Sequence, residues 1–167
     1  MAPKPPVLKV TAEVKIRPFS LGDVNAVLKI QKACKLIAAW RPRDYEQLAD
    51  DPMGIFLVAE REGRDAPELV GFSVFYRVDT EAELWNIAVA PACRRQGIAR
   101  ALLREACRRL SDAGAQKLFL EVRASNLPAV ELYRSLDFAP LARRKNYYQN
   151  PSEDALVLVC KLVPSEV

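Results

Sequence analysis

The chain has 167 residues, is 50% hydrophobic and 28% charged, and carries 25 Lys and Arg against 21 Asp and Glu, a net charge of +4. That is about one globular domain with enough apolar residues for a sizeable core, which excludes a disordered, collagen-like or coiled-coil chain. The mild basic excess suits an anionic ligand or partner without requiring nucleic acid.

In chain order, residues 1–10 read as a flexible, proline-rich tail that lacks the apolar stretch of a secretory signal. Residues 11–19 alternate loosely and suit a first strand. Asp23 can cap a helix running to about residue 39, with Val24, Val27, Leu28, Ala33 and Leu36 near helical spacing. Residues 40–44 break it, and residues 45–49 suit a short second helix. Strands are expected over residues 55–60, 69–78 and 83–90, the first two joined by a hairpin-type loop containing Gly63 and Pro67.

After a basic loop at 91–97, residues 98–113 form a strong helix pattern. Ala101, Leu102, Ala106 and Leu110 lie on its inner face, and Gly114 ends it. Residues 117–122 read as a short, apolar, buried strand. Ser125-Asn126-Leu127-Pro128 opens a helix running to about residue 136, and residues 139–148 and 155–162 are the last two strands. The order predicts a single α/β domain over residues 11–163, a mixed sheet of six to seven strands with helices on both faces.

The chain has no histidine. Ser-His-Asp and Cys-His triads and histidine metal ligands are therefore excluded, and acid–base chemistry falls to Asp, Glu, Tyr, Cys, Lys or water. Cys34, Cys93, Cys107 and Cys160 show no CxxC spacing, so neither a zinc site nor a disulfide framework is signalled, and no metal is expected. Apolar runs such as 155–160 are too short to span a bilayer. Free thiols without an apolar leader predict a cytoplasmic protein.

One junction has binding chemistry of its own. Arg94-Arg95-Gln96-Gly97-Ile98-Ala99-Arg100 follows a strand and opens a helix. A helix N-terminus offers unpaired N–H groups and partial positive charge, which suits a phosphate. Gly97 and Ala99 permit close backbone approach, and Arg94, Arg95 and Arg100 add charge. The pattern is neither a Walker A loop nor a dinucleotide fingerprint. A plain glycine loop with solvated arginines also fits it.

Two further positions carry alternatives. Glu121 interrupts the apolar strand at 117–122, where a carboxylate must be paired or neutralised; an ion pair with Arg123 or another arginine would do so. Tyr133 falls on the apolar face Ala129, Leu132, Tyr133, Leu136, where a core tyrosine and a functional phenol both fit.

The string at 94–99 resembles the acetyl-CoA motif R/Q-x-x-G-x-G/A of the GNAT N-acetyltransferase superfamily. Further segments resemble the RimI family, the bacterial ribosomal-protein-alanine N-acetyltransferases: Leu84-Trp85-Asn86-Ile87-Ala88-Val89, Glu121-Val122-Arg123-Ala124-Ser125-Asn126, Glu131-Leu132-Tyr133 and Arg143-Arg144-Lys145-Asn146-Tyr147-Tyr148. The match is clear over residues 80–162; residues 11–79 fit the element order but match weakly.

The resemblance implies a fourth strand splayed from the fifth, with the pantetheine arm of acetyl-CoA between them. Backbone groups at Ile87, Ala88 and Val89 would pair with pantetheine, and an N–H near Val89 would meet the thioester oxygen. Arg94, Arg95, Gln96, Gly97, Ile98, Ala99 and Arg100 would cradle the pyrophosphate. Asn126 would contact the cofactor, although an N-cap of the helix at Pro128 explains it equally. Glu121 would be the general base. Tyr133 would be the general acid, either hydrogen-bonding the leaving thiolate or having its own pKa lowered. Cys93 and Cys107, without a histidine to activate them, read as packing residues.

The implied acceptor is the N-terminal alanine of a small-subunit ribosomal protein. Its peptide would enter over residues 40–45 and 146–148, with no nucleic acid or membrane needed. The rivals are a GNAT acting on lysine or small amines, and a silent acyl-CoA-binding module. Asp137 departs from the family, which usually has Gly before Phe138, at a helix C-cap.

Overall fold

The computed structural model describes residues 13–164, and over these the expected elements form in the expected order. The tail predicted at 1–10 and the first positions of the predicted first strand lie outside the described residues. The strands are β1 (Val14–Pro18), β2 (Gly54–Arg61), β3 (Glu68–Val78), β4 (Glu81–Val89), β5 (Lys117–Arg123), β6 (Ala139–Tyr148) and β7 (Glu153–Lys161). They make one sheet in the order β1-β2-β3-β4-β5-β7-β6. Every neighbouring pair is antiparallel except β4 and β5. The α-helices among the described residues are α1 (Val24–Ala33), α2 (Pro42–Ala49), α3 (Ile98–Asp112) and α4 (Leu127–Arg134).

Both faces of the sheet are covered, as the mixed α/β pattern predicts. On one face α3 and α4 bury Ile98, Leu102, Leu103, Ala106, Leu110, Val130 and Tyr133 against Leu57, Val70, Leu118, Leu120 and Leu158. Each such aliphatic side chain contributes about 1.5–3 kcal/mol. Leu103, rather than the expected Ala101, completes the inner stripe of α3. Gly71 lets this helix lie close to the sheet. A Cβ there would come within 3.0 Å of the Ala88 carbonyl oxygen and 3.2 Å of Ile98. On the other face α1 and α2 pack Val27, Ile30, Tyr45 and Leu48 on Phe56, Val58, Phe72 and Val74.

Three differences from the expectations bear on the site. First, α1 stops at Ala33 rather than near residue 39. Cys34 is extended and Leu36 takes a left-handed φ of 64°. The Gln31 side chain accepts from the Trp40 N–H (3.0 Å), donates to the Trp40 carbonyl (2.9 Å) and accepts from the Tyr45 hydroxyl. This side-chain clamp competes with helix continuation and folds the α1–α2 connection back over the sheet.

Second, β4 contains a bulge. Val74 faces Asn86 and Phe75 faces Leu84, so Trp85 is the extra residue. An inserted residue inverts the alternation beyond it. Ala82 and Leu84 point to the α3 side before the bulge, Ile87 and Val89 after it, and Ala88 joins the opposite core. Third, β5 is not buried on both faces. Leu118, Leu120 and Val122 are buried, whereas Phe119, Glu121 and Arg123 alternate with them and are only partly buried. Period-two reading of Leu-Phe-Leu-Glu-Val-Arg accounts for this, and a short apolar run masked it.

Candidate active site

β4 and β5 are paired only from Glu81 to Glu83 against Lys117 to Phe119. Beyond Glu83 the strands part. The separation opens a cavity of about 740 Å³ that runs through the sheet. Leu36, Ile37, Ala38 and Trp40 of the α1–α2 connection wall it on one side, with Leu84 to Ile87 of β4, Phe119 to Arg123 of β5, and Leu141, Arg144, Tyr147 and Tyr148 of β6. Asn126 and Tyr133 reach it from α4. Glu121 and Tyr133 thus face one space, from strand and helix, although twelve positions separate them in the chain.

The Glu121 carboxylate is ion-paired to Arg144, whose Nε lies 3.1 Å from Oε1, with the Arg144 side chain 57% and the Glu121 side chain 27% exposed. The Tyr147 hydroxyl also donates to Glu121, and this bond is the main cause of a raised Tyr147 pKa. The guanidinium of Arg144 sits 5.5 Å above the Tyr147 ring. Arg123, its other possible partner, turns away from Glu121. It pairs with Glu153 at 3.3 Å and lies 4.4 Å above the Tyr148 ring, leaving its buried Nε without an acceptor among the described residues.

Tyr133 has a different setting. It is 5% exposed and meets Phe138 edge-on at 5.6 Å. Burial raises its pKa well above the usual phenol range. Desolvation disfavours the phenolate and so works against the alternative in which the acid acts through a lowered tyrosine pKa. Burial also pushes Tyr148 up to about 12.

Asn126 caps α4, its Oδ1 accepting from the Ala129 N–H at 3.4 Å, and it also lines the cavity. Ile87 lines the cavity too. Ala88 packs into the opposite core, and the Val89 carbonyl accepts from the Cys34 thiol at 3.4 Å. Arg94, Arg95, Gln96 and Gly97 are exposed in front of α3, with Arg95 and Gly97 at φ 60° and 80°. No side chain caps this helix at Gly97, and the Ile98 side chain is buried in the core. Only the backbone of Ile98 can therefore serve a ligand at the first turn, where the N–H groups lack intrahelical acceptors. Ala99 and Arg100 are half-buried, and Arg100 donates to Ser135 Oγ at 2.8 Å, tying the start of α3 to the end of α4. Arg94 reaches Cys34 Sγ at 3.5 Å.

Of the expected peptide-entry residues, Trp40, Tyr147 and Tyr148 line the cavity. Tyr45 is fully buried in the α1–α2 core and cannot take part. Asn146 is exposed and its N–H donates to Asp154. Cys93 is buried and burial pushes the Cys107 thiol up to about 11, so both are poor nucleophiles, as the packing reading holds. Among the described residues no group of His, Cys, Asp and Glu could hold a metal, and no helix is long and apolar enough to cross a membrane.

Residue-by-residue reading missed Arg144, Trp85 and Asn86. Asn86 is 5% exposed and donates to the Ala38 carbonyl at 3.2 Å, so it positions the α1–α2 connection over the cavity. An amide inside the apolar run Trp85 to Val89 was the available signal.

A family model described as acetyltransferase (GNAT) family matches residues 24–138. The chain belongs to the GNAT acetyltransferases. As such it is an N-acetyltransferase, and the acetyl donor of the family is acetyl-CoA. The ribosomal protein bS18-alanine N-acetyltransferase of Haemophilus ducreyi is 32% identical over 84% of this chain and 94% of its own length. The enzyme of that name from Escherichia coli K12 is 43% identical over 54% of this chain and 63% of its own length. A crystal structure of the Escherichia coli ribosomal-protein-S18-alanine N-acetyltransferase superposes on this GNAT domain with a TM-score of 0.80 at 29% identity, covering 92% of this chain and 97% of that one.

Proposed function

We propose that the protein acetylates the α-amine of a protein N-terminus, namely the N-terminal alanine of a small-subunit ribosomal protein in the cytoplasm. The observation that carries this reading is the cavity through the sheet, which presents a carboxylate on one side and a neutral phenol on the other. The relatives named for bS18-alanine acetylation support the acceptor. The free thiols suit a reducing compartment.

Acetyl-CoA supplies an activated acetyl thioester. The opening between β4 and β5, with the edge of β4 unpaired beyond Glu83, fits a thin extended arm. The uncapped start of α3, with Arg94, Arg95 and Arg100 nearby and Gly97 in a left-handed turn, fits a diphosphate. Ile87, Ala88 and Val89 would offer backbone groups to the arm, a β4 N–H near Val89 would stabilise negative charge developing on the thioester oxygen, and Asn126 would contact the cofactor.

Glu121 accepts the proton of the incoming amine, directly or through water, and Tyr133 donates a hydrogen bond to the departing sulfur. An α-amine has a pKa of about 7.7–8.0 and a lysine about 10.4, so at pH 7 roughly a tenth of the former is neutral but under a thousandth of the latter. An enzyme acting on α-amines therefore asks less of its base than one acting on lysines.

A panel of peptides beginning with alanine, serine and methionine, run beside free lysine and polyamines, tests the reading. The alanine peptide should give the highest kcat/KM, with label on the α-amine by mass spectrometry. Equal or faster transfer to lysine side chains or polyamines would overturn the acceptor class. Acetyl-CoA binding without transfer to any amine would reduce the protein to a binding module.

A further inference from the structure

We propose that a second pocket beside the reacting cavity is a subsite for a lysine or arginine side chain of the acceptor, downstream of its amino terminus. This pocket has a volume of about 330 Å³. It shares Trp40 and Trp85 with the reacting cavity and is completed by Tyr76 and the carboxylates of Asp44 and Asp51.

Its walls suit a cation. Trp85, the bulge residue of β4, stacks on Tyr76 with centroids 4.4 Å apart and planes 8° from parallel. Trp40 meets Trp85 at 6.1 Å and 65°, so two aromatic planes form a corner. Trp85 remains 41% exposed, an unusual fate for a tryptophan with so many aromatic neighbours. The negative π faces attract a guanidinium or ammonium.

The charge at the rim is not already used up. Asp44 is held by Arg41 at 3.0 Å. Asp51 accepts only from neutral donors, the Met53 N–H at 2.9 Å and the Tyr76 hydroxyl at 3.1 Å, and no lysine or arginine pairs with it among the described residues. An apolar occupant would desolvate that carboxylate without a partner, whereas a cation would supply a charge-assisted bond. Because Trp40 and Trp85 border both spaces, a chain whose amine lies near Glu121 can pass them to reach the pocket. Its assignment to an acceptor peptide rests on the α-amine reading above; the selectivity for a cation does not.

Trp40 and Trp85 are the only two tryptophans of the chain and stand between this pocket and the reacting cavity, so intrinsic fluorescence reports peptide binding there, and the arginine–citrulline difference isolates the pocket. The full-length protein would be titrated with peptides beginning with alanine that carry arginine at position two, three or four, and with matched peptides carrying citrulline, its neutral isostere. Tyrosine and norleucine peptides complete the set, and kcat/KM is measured in parallel. At one of the positions the arginine peptide should bind about fivefold tighter than the citrulline peptide, and be favoured similarly in kcat/KM. The ratio should fall to near one in Asp51→Asn. Trp85→Leu, which leaves Asp51 in place and is followed by calorimetry, should lower it as well. Asp65→Asn, a charge-matched change in an exposed loop, should keep it.

Equal binding of arginine and citrulline peptides at every position overturns the proposal. So does tighter binding of the tyrosine or norleucine peptide, or an arginine preference untouched by both pocket variants. An arginine preference in fluorescence with no acetylation of any peptide would support the cation subsite while removing the transferase reading.

Discussion

Glu121 and Tyr133 look into the same cavity, yet the two sides of the sheet treat them in opposite ways. Glu121, on the outward-facing register of β5, keeps a guanidinium, a phenol and solvent for company. Tyr133, on the inner face of α4, sits in hydrocarbon against Phe138, and burial holds its proton firmly. The polar side suits a substrate that arrives charged and must give up a proton. The apolar side suits a group that must stay neutral until negative charge develops beside it. One cavity can host both only because the separation of β4 from β5 joins the two faces of the sheet.

The comparison is broken most directly at Glu121. Glu121→Gln keeps the size and a hydrogen-bonding oxygen but removes the base. We expect kcat to fall about 100-fold or more, with acetyl-CoA affinity by calorimetry held within about twofold. An unchanged turnover across pH would take Glu121 out of the chemistry and leave it a partner of Arg144.

Tyr133→Phe tests the other side. Losing one hydrogen bond to a developing thiolate should lower kcat about 10- to 100-fold without unfolding the protein. The pH profile carries a sharper test. Because burial raises the Tyr133 pKa, the phenol stays protonated up to and beyond its usual value of about 10. Rate should therefore climb as the acceptor amine loses its proton near pH 8 and then stay level to pH 10. The Phe variant should show the same shape at a lower plateau. A falling limb near pH 8–9 that vanishes in Tyr133→Phe would mean that the phenol ionises in the working range.

A smaller effect is expected at Arg144. Its pair with Glu121 is open to solvent on the arginine side, and such solvent-screened pairs contribute about 1 kcal/mol or less. The guanidinium occupies the carboxylate that the incoming ammonium also needs. Arg144→Gln should lower KM for the acceptor about two- to fivefold and change kcat less. A rise in KM would instead make Arg144 a residue that holds Glu121 in place.

The same contrast explains what could be read from residues alone. The strand and helix order was legible because periodicity and caps are local: Gly114 after α3 and Pro128 in α4 stand where they were expected. The strand-to-helix junction at Gly97 was legible for the same reason, with α3 starting at Ile98. The partner of Glu121 was not, because Arg144 comes from a strand twenty-three positions later and a register set by β7. The length of α1 was missed because Gln31 stops it through bonds to Trp40 and Tyr45, a tertiary override of helical spacing. Trp85 was quoted only as part of a motif. Its place outside the core follows from a bulge that no pattern of apolar residues announces.

The smallest expected effect separates the scaffold of Tyr133 from its chemistry. Asp137 closes α4 at φ 64°, and the Phe138 N–H reaches back to the Tyr133 carbonyl at 3.1 Å, so the helix terminates as it would with glycine. A side chain in this left-handed region costs about 1 kcal/mol that glycine would not incur, offset in part by the greater freedom of glycine in the unfolded chain. Asp137→Gly should raise the free energy of unfolding by about 0.5 to 1 kcal/mol in urea, with kcat and its pH profile unchanged. If the rate moved with the stability, the phenol would owe its contribution to how firmly α4 is anchored. If stability rose alone, the loss in Tyr133→Phe would belong to the hydroxyl itself.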